Sequence, residues 1–474
     1  MSVYHAASAL TYRFRLVLSS FLQREDLPFS EILSEACIEQ VFDEAGAAFA
    51  QDEADPVYTP AVTLWAFLSQ VLFKAEHRSC LAAVSRVAVF LVALGQKACS
   101  KNTGAYCRAR AKIPTAVIRQ LTTEAAATAE KNVPAEFRWR RRSVKLVDGF
   151  TASMADTIKN QAEYPQPPAQ KPGLGFPLAR CVVLLSLATG MAMDLEIGPY
   201  SGKETGETAL LRRLLARFES GDILLADCYY CSYFMIALLQ ILQVDFVVRL
   251  HQCRASDFRR GKRLGKGDHL VAWVRPPQPD WMDDETYARM PPSISVREVQ
   301  VRVDQPGFRI DSFVVVTTLT DAETYTAEDI GELFRKRWLA ELDIRAIKST
   351  LGIDILRCQT PEMVRKEIWS ALLAYNLIRQ TMLQAAVQAG RSPRELSFTH
   401  ALQTIAASWT TIMVVSPVRQ EALIAAALHG LRQPLVGHRP DRVEPRAIKR
   451  RPKPHALLTK PRAEAREELL RAHA

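Results

Sequence analysis

Between residues 144 and 250 the spacing of apolar residues changes repeatedly, and the order of those changes restricts the fold more than any other feature of the chain. Residues 144–147 are a short, mostly apolar run that stops at Asp148-Gly149. Residues 178–187 (LARCVVLLSL) and 191–196 read as two strands of a hairpin with its turn at Thr189-Gly190. Residues 207–218 have the period of an amphipathic helix, 222–226 form a buried strand stopping at Asp227, 233–242 a helix and 245–250 a strand. Strand, hairpin, helix, strand, helix, strand implies an α/β fold: a mixed sheet with flanking helices.

Other segments surround this core. Residues 1–140 read as helices, with helical spacing at 10–22, 29–49, 64–73 and 80–94 and breaks at Pro56, Pro60 and Gly95. In CSKNTGAYCRARAKIP (99–114), Ser100 or Asn102 can cap a helix carrying Tyr106, Arg108, Arg110 and Lys112. Such a helix suits DNA contact, and equally suits a solvated basic face. Arg138-Trp139-Arg140-Arg141-Arg142 reads as an exposed basic connector able to meet phosphate. Residues 161–177 are a Pro- and Gly-rich loop.

From residue 251 the chain turns strongly basic, then alternates as strands at 296–303 and 308–318. This is a β-rich insertion that interrupts the core. Residues 326–351 read as one long helix, 355–358 as a short strand and 361–389 as another long helix. The tail 438–460, rich in Arg, Lys and Pro, reads as disordered and able to touch nucleic acid nonspecifically. The expected organisation is therefore a helical DNA-binding region (1–140), a first part of the core (141–250), the insertion (251–307), a second part of the core (308–390), and C-terminal helices with a basic tail (391–474).

A net charge of +10 and a pI near 9.2 favour a polyanionic partner. The runs 223–226 and 234–248 are too short or too interrupted to span a bilayer, and no secretion signal opens the chain, so nucleic acid is favoured over membrane. Nine scattered cysteines suggest no disulfide framework, and Cys228-Tyr229-Tyr230-Cys231 is a lone pair without a zinc-like second one. A reducing cytosol is the expected compartment.

The stretch FRKRWLAELDIRAIK (334–348) lacks Gly and Pro and should be helical. Arg337 and Glu341 are four apart, Glu341 and Lys348 seven apart, so one face would carry all three. Trp338, Leu342 and Ile344 or Ile347 fall elsewhere and can pack. Such a face is usually an ordinary salt-bridged surface. Asp148 and Asp227 give it a context, because each closes a strand, where a sheet rim leaves room for ligand. With Glu341 they supply three hard oxygen donors, the chemistry of Mg²⁺ or Mn²⁺. Two such ions can activate a water or a 3′-hydroxyl and stabilise the leaving oxygen of a phosphodiester.

On three stretches the chain resembles the DDE transposases of the bacterial insertion-sequence-4 family, which have a ribonuclease-H-like catalytic core. These are Val147-Asp148-Gly149-Phe150-Thr151 with Ser153, Met154, Asp156 and Thr157; Leu224-Leu225-Ala226-Asp227; and the helix with Arg337, Trp338, Glu341 and Lys348. The family helix pattern Y-x₂-R-x₃-E-x₆-K is matched except at its first position, where Phe334 offers a ring but no hydroxyl. The resemblance covers roughly residues 80–390. It implies a ribonuclease-H-like mixed sheet with flanking helices, interrupted by the β-rich insertion and joined by N- and C-terminal helical regions. It implies that Asp148, Asp227 and Glu341 are catalytic and hold two divalent ions, Mg²⁺ or Mn²⁺. Arg337 and Lys348 would grip phosphates, with Trp338, Arg108 and Arg110 as further DNA contacts. Implied partners are terminal inverted repeats, target DNA and a second copy of the chain in a homodimeric synapse. Where an end hairpin is an intermediate, Trp273 or Trp281 is a candidate to stack on a flipped base, with core packing the favoured reading for either one. The competing readings are a decayed, DNA-binding transposase, a ribonuclease-H-like nuclease without strand transfer, and a hydrolase with paired carboxylates, which leaves Arg337 and Lys348 unexplained.

Overall fold

The computed structural model describes residues 13–46, 57–73, 75–302, 312–433 and 458–472. Its strands are β1 (Val144–Ser153), β2 (Leu178–Ser186), β3 (Ala192–Pro199), β4 (Ile223–Ala226), β5 (Asp245–Arg249), β6 (Lys262–Gly265), β7 (Asp268–Val274), β8 (Ser293–Arg302) and β9 (Ser312–Thr317). All join one sheet in the order β3-β2-β1-β4-β5-β9-β8-β7-β6. Neighbours among β1, β2 and β3 are antiparallel, whereas β4 runs parallel to β1 and β5 parallel to β4. Three antiparallel strands followed by two parallel ones is the ribonuclease-H-like arrangement.

Both faces are covered, which explains why the strands read as near-continuous apolar runs. Leu146, Phe150, Cys181, Val183, Ile223 and Leu225 enter the core shared with the N- and C-terminal helices. Val147, Val182, Leu184, Leu224 and Ala226 face the helices Glu207–Leu214 and Tyr233–Ile241. The insertion stays in the sheet: β8 pairs with β9, and β9 with β5, so β8, β7 and β6 simply widen it.

Three sequence expectations need correction. β1 does not stop at Asp148; it continues to Ser153, paired with β2 from Lys145↔Ser186 to Ser153↔Leu178. Asp-Gly has the local chemistry of a turn, but a nine-residue partner strand overrides it. Residues 355–358 form no strand, only an isolated bridge between Ile355 and Ser153. The arginine run at 138–142 is exposed only at Arg140 and Arg141, and its other residues act as a clamp. Arg140 and Arg141 have φ of 48° and 62°, which closes a two-residue turn under a Trp139–Arg142 bridge. Trp139 stacks on Tyr325 at 5.7 Å. Arg142 donates to Gly221 O at 2.8 Å and Asp245 Oδ2 at 2.5 Å, and Arg140 pairs with Asp329 at 2.6 Å.

The helix Pro361–Gln388 is capped by Thr360, begins with proline at its first turn, and is buried along most of its length. The N-terminal helices lie against it. Gln23 Nε2 donates to Thr381 Oγ1 at 2.7 Å, and Lys366 Nζ to Ala111 O at 2.7 Å. Asn376 binds in both directions: it accepts from Ala192 N at 2.8 Å and donates to Ala192 O at 2.9 Å and Thr122 O at 3.0 Å. One side chain thus ties the central helix to an N-terminal helix and to β3. The basic tail read at 438–460 lies outside the described residues up to 457. No described helix is long and apolar enough to cross a membrane.

Replacing Asn376 with Leu keeps the volume and strands three buried backbone groups. At about 1–3 kcal/mol per orphaned group, we expect a loss of about 3 kcal/mol or more in urea unfolding. A change below about 1 kcal/mol would show that the three groups find other partners.

Candidate active site

β1 and β4 pair in parallel from Val144↔Ile223 to Leu146↔Leu225. Two residues further along each chain stand Asp148 and Asp227. β4 ends at Ala226, so beyond it the sheet opens on one side of β1 while β2 still supports the other. Asp148 is therefore inside a strand, not at its end, yet it borders the space that the end of β4 creates. Gly149 N donates to Asp148 Oδ1 at 2.8 Å. Asp227 caps the short turn Cys228–Tyr230, its Oδ1 accepting from Tyr229 N at 2.8 Å.

The predicted helix over 326–351 is in three pieces. A capping box between Thr326 and Asp329 starts Ala327–Arg335. Lys336 and Arg337 then tighten into i→i+3 bonds, with Lys336 N on Leu333 O and Arg337 N on Phe334 O, both at 3.0 Å. A second helix, Trp338–Arg345, runs into a π-helical turn, Ala346–Thr350. Glu341 lies in the second helix and Lys348 in the π turn, so the seven-residue spacing no longer fixes both on one helical face. Lys348 still reaches the sheet: burial pushes the Cys181 thiol up to about 12, and the Lys348 charge draws it down. Cys181 pairs with Phe150, on the Asp148 face of β1.

The turn at 336–337 places Arg337 between two acids. Its Nη2 donates to Glu341 Oε1 at 2.7 Å, and its Nη1 lies 3.8 Å from Asp148 Oδ2. The sequence spacing pairs Arg337 with Glu341 and carries no sign of the link to β1. Burial raises the Asp148 carboxyl to about 6 against the pull of Gly149 N–H and Arg337, with Asp227 and Glu207 adding repulsion. Glu207 is a fourth acid that sequence reading absorbed into an amphipathic helix. It opens the helix Glu207–Leu214 and accepts from Tyr230 Oη at 3.1 Å. Burial, with Asp227, raises its carboxyl, while Tyr230 and Arg180 lower it. The local signal for it was a glycine directly after the strand aspartate.

Below Glu341 the helix is anchored by Asp343, which is 1 % exposed. It accepts from Arg379 and, at 2.5 Å, from Arg394 Nη1. Arg394 also donates to Leu187 O at 2.8 Å, and Arg379 to Tyr375 Oη at 2.9 Å.

Of the other predicted contacts, Trp338 is half-exposed beside Arg337 and Arg108 is exposed. Arg110 is turned inward. It donates to Gln70 Oε1 at 2.9 Å and lies over the rings of Phe67 and Tyr106, because Tyr106 and Ala109 draw that helix face into the core. Phe334 packs on Phe313 at 5.1 Å. Trp273 is buried with its Nε1–H on Glu298, and Trp281 lies under the Arg212 guanidinium at 3.8 Å. Both indoles are occupied.

The donor set fits a hard divalent cation in kind: all oxygen, with more acids than Arg337 can balance. Among the described residues, no three His, Cys, Asp or Glu side chains are gathered closely enough to enclose an ion. Arg337 stands between Asp148 and Glu341 instead.

A ribonuclease-H-like sheet with two aspartates at the β1–β4 border and a glutamate on a helix beside them defines the DDE class of enzymes. Comparison with known proteins gives the family: residues 139–377 match the model of the transposase DDE domain, and the chain belongs to that family. It is 26% identical over 356 residues to transposase InsG for insertion sequence element IS4 of Escherichia coli (strain K12), covering 73% of this chain and 76% of InsG. It is 37% identical over 65 residues to the transposase for insertion sequence element IS421 of Escherichia coli, 14% of this chain and 18% of that one. Among solved structures, a piggyBac transposase synaptic complex with hairpin DNA overlaps 91% of this chain and 88% of its own, at a TM-score of 0.44 and 10% identity.

Two outcomes test the site's electrostatics. Because folding raises the Asp148 pKa to about 6, ionising it opposes folding, and that stability is lost as pH rises through 6. In EDTA, Asp148→Asn should match the parent near pH 4 and exceed it at pH 8 by up to about 3 kcal/mol, read from thermal unfolding. Asp343→Asn leaves the buried Arg379 and the partly buried Arg394 without a counter-charge and should cost about 3–5 kcal/mol in urea unfolding.

Proposed function

We propose that this transposase of the insertion-sequence-4 type uses Asp148, Asp227 and Glu341 to cut DNA at the ends of its element and to join the freed 3′ ends to target DNA. One observation supports this most: each aspartate follows the last β1–β4 pair by two residues, where β4 ends, and Arg337 links Glu341 to the first of them. The three carboxylates would hold two divalent ions, Mg²⁺ or Mn²⁺. Bound there, such ions make a water or 3′-hydroxyl nucleophilic and stabilise the leaving oxygen.

The chain's own residues then have separate tasks. Arg337 presents a planar fork to a phosphate beside the scissile bond, and Lys348 adds a second positive charge. Trp338 offers an exposed ring to a neighbouring base or sugar. Arg108, on the rim of the N-terminal helices, contributes salt-sensitive affinity for the backbone of the terminal repeats. Arg110 takes no part, being committed to Gln70 and two rings. Two ends must be brought together before joining, so the working form is a homodimer in a synapse. Association with the nucleoid follows from the same DNA affinity and the net charge of +10.

The test is cleavage and joining of a labelled duplex carrying the element's own ends, in Mg²⁺ or Mn²⁺ and in EDTA. Glu341→Gln should abolish nicking and leave DNA binding within a few-fold of the parent. Binding lost in step with cleavage would make Glu341 structural. Nicking without joined product would identify a nuclease, and binding without nicking in the parent would identify a decayed enzyme.

A further inference from the structure

Glu207 is brought to the Asp148–Asp227 pair by three features that no bulk packing requires. The first is Gly149. Its missing side chain is where the Glu207 carboxylate lies: a Cβ there would stand 2.4 Å from Glu207 Cδ and 2.6 and 2.7 Å from its two oxygens. Only glycine lets this carboxylate rest against β1 beside Asp148. The second is Tyr230, in the turn that Asp227 caps, whose hydroxyl donates to Glu207 Oε2 at 3.1 Å. The third is the side of approach. Gly149 alternates with Asp148 along β1, so its vacant position points toward the face packed by Leu210, Leu211 and Leu214. Glu341 comes from the other face, with the helix that joins the larger core.

Acids thus converge on the end of β4 from both faces of the sheet. Arg337 pairs with Asp148 and Glu341, and Arg180 acts on Glu207 by its charge without an ion-pair contact. Among the described residues no salt bridge serves Glu207 or Asp227. An arrangement that crowds like charges, and needs a glycine to do so, is costly unless a cation offsets it.

We propose that Glu207 is a fourth carboxylate of the divalent-cation site, an oxygen donor to an ion or to its bound water from the face opposite Glu341. This rests on the assignment of Asp148 and Asp227 as metal-holding acids.

The full chain, freed of metal, would be titrated with Mn²⁺ by calorimetry, and its thermal unfolding followed with and without Mn²⁺. Glu207→Gln keeps the shape and can still accept from Tyr230. It should weaken Mn²⁺ binding about 10-fold or more and shrink the Mn²⁺-induced rise in Tm. Without metal, its Tm should equal or exceed the parent's. Tyr230→Phe, which keeps the carboxylate, should weaken binding less than Glu207→Gln. Parent-like affinity in Glu207→Gln together with a loss in Asp148→Asn overturns the role of Glu207 alone. Parent-like affinity in both overturns the site on which it rests. A lower metal-free Tm in Glu207→Gln makes Glu207 structural and overturns the proposal.

Discussion

The Asp343 carboxylate, buried between Arg379 and Arg394, is the contact on which the geometry of the site depends. Two residues before it on the same helix is Glu341. Arg379 belongs to the long central helix, and Arg394 reaches the end of β2 through Ser186 O and Leu187 O. One acid therefore fixes the glutamate-bearing helix to both the helical core and the sheet. Burying three charges is expensive, and it is offset here because both carboxylate oxygens and both guanidinium groups find partners. What is gained is position: the height of Glu341 over β1 is set by ionic contacts and not by a loop.

Local pattern was sufficient where a segment's own residues decide its state. The hairpin turn at Thr189-Gly190, the capped start at Thr360-Pro361, and the strand before Asp227 all carry their signals in adjacent residues. It failed where a distant partner decides. Asp148-Gly149 looks like a strand end, and β2 makes it a strand interior. Residues 336–337 contain neither Gly nor Pro, yet the helix tightens there so that Arg337 can meet Asp148. Arg138 to Arg142 looks like a solvated basic run, and Tyr325, Asp245 and Asp329, each at least a hundred residues away, make it a clamp. The sequence singles out the two aspartates and Glu341 as candidates; it gives no direct sign of Glu207, whose place beside β1 depends on the side chain that Gly149 does not have.

Around Asp148, acids and bases act on one another: Asp227 and Glu207 push its carboxyl up while Arg337 pulls it down. Arg337 lies across Asp148 and Glu341 and so offsets the repulsion between these two acids. The same guanidinium is the group best shaped for a phosphate. In the proposed role, carboxylates and phosphate would compete for this one side chain.

The nine-stranded sheet has a mechanical consequence. β5, β9, β8, β7 and β6 continue without interruption from the strand next to β4 to the far edge. A displacement of β6 along its own direction would load the ladders between β6 and β5 in shear, several backbone hydrogen bonds of each at a time. The insertion is in this respect a beam built into the wall of the core, and bending it means bending the surface on which the acids stand.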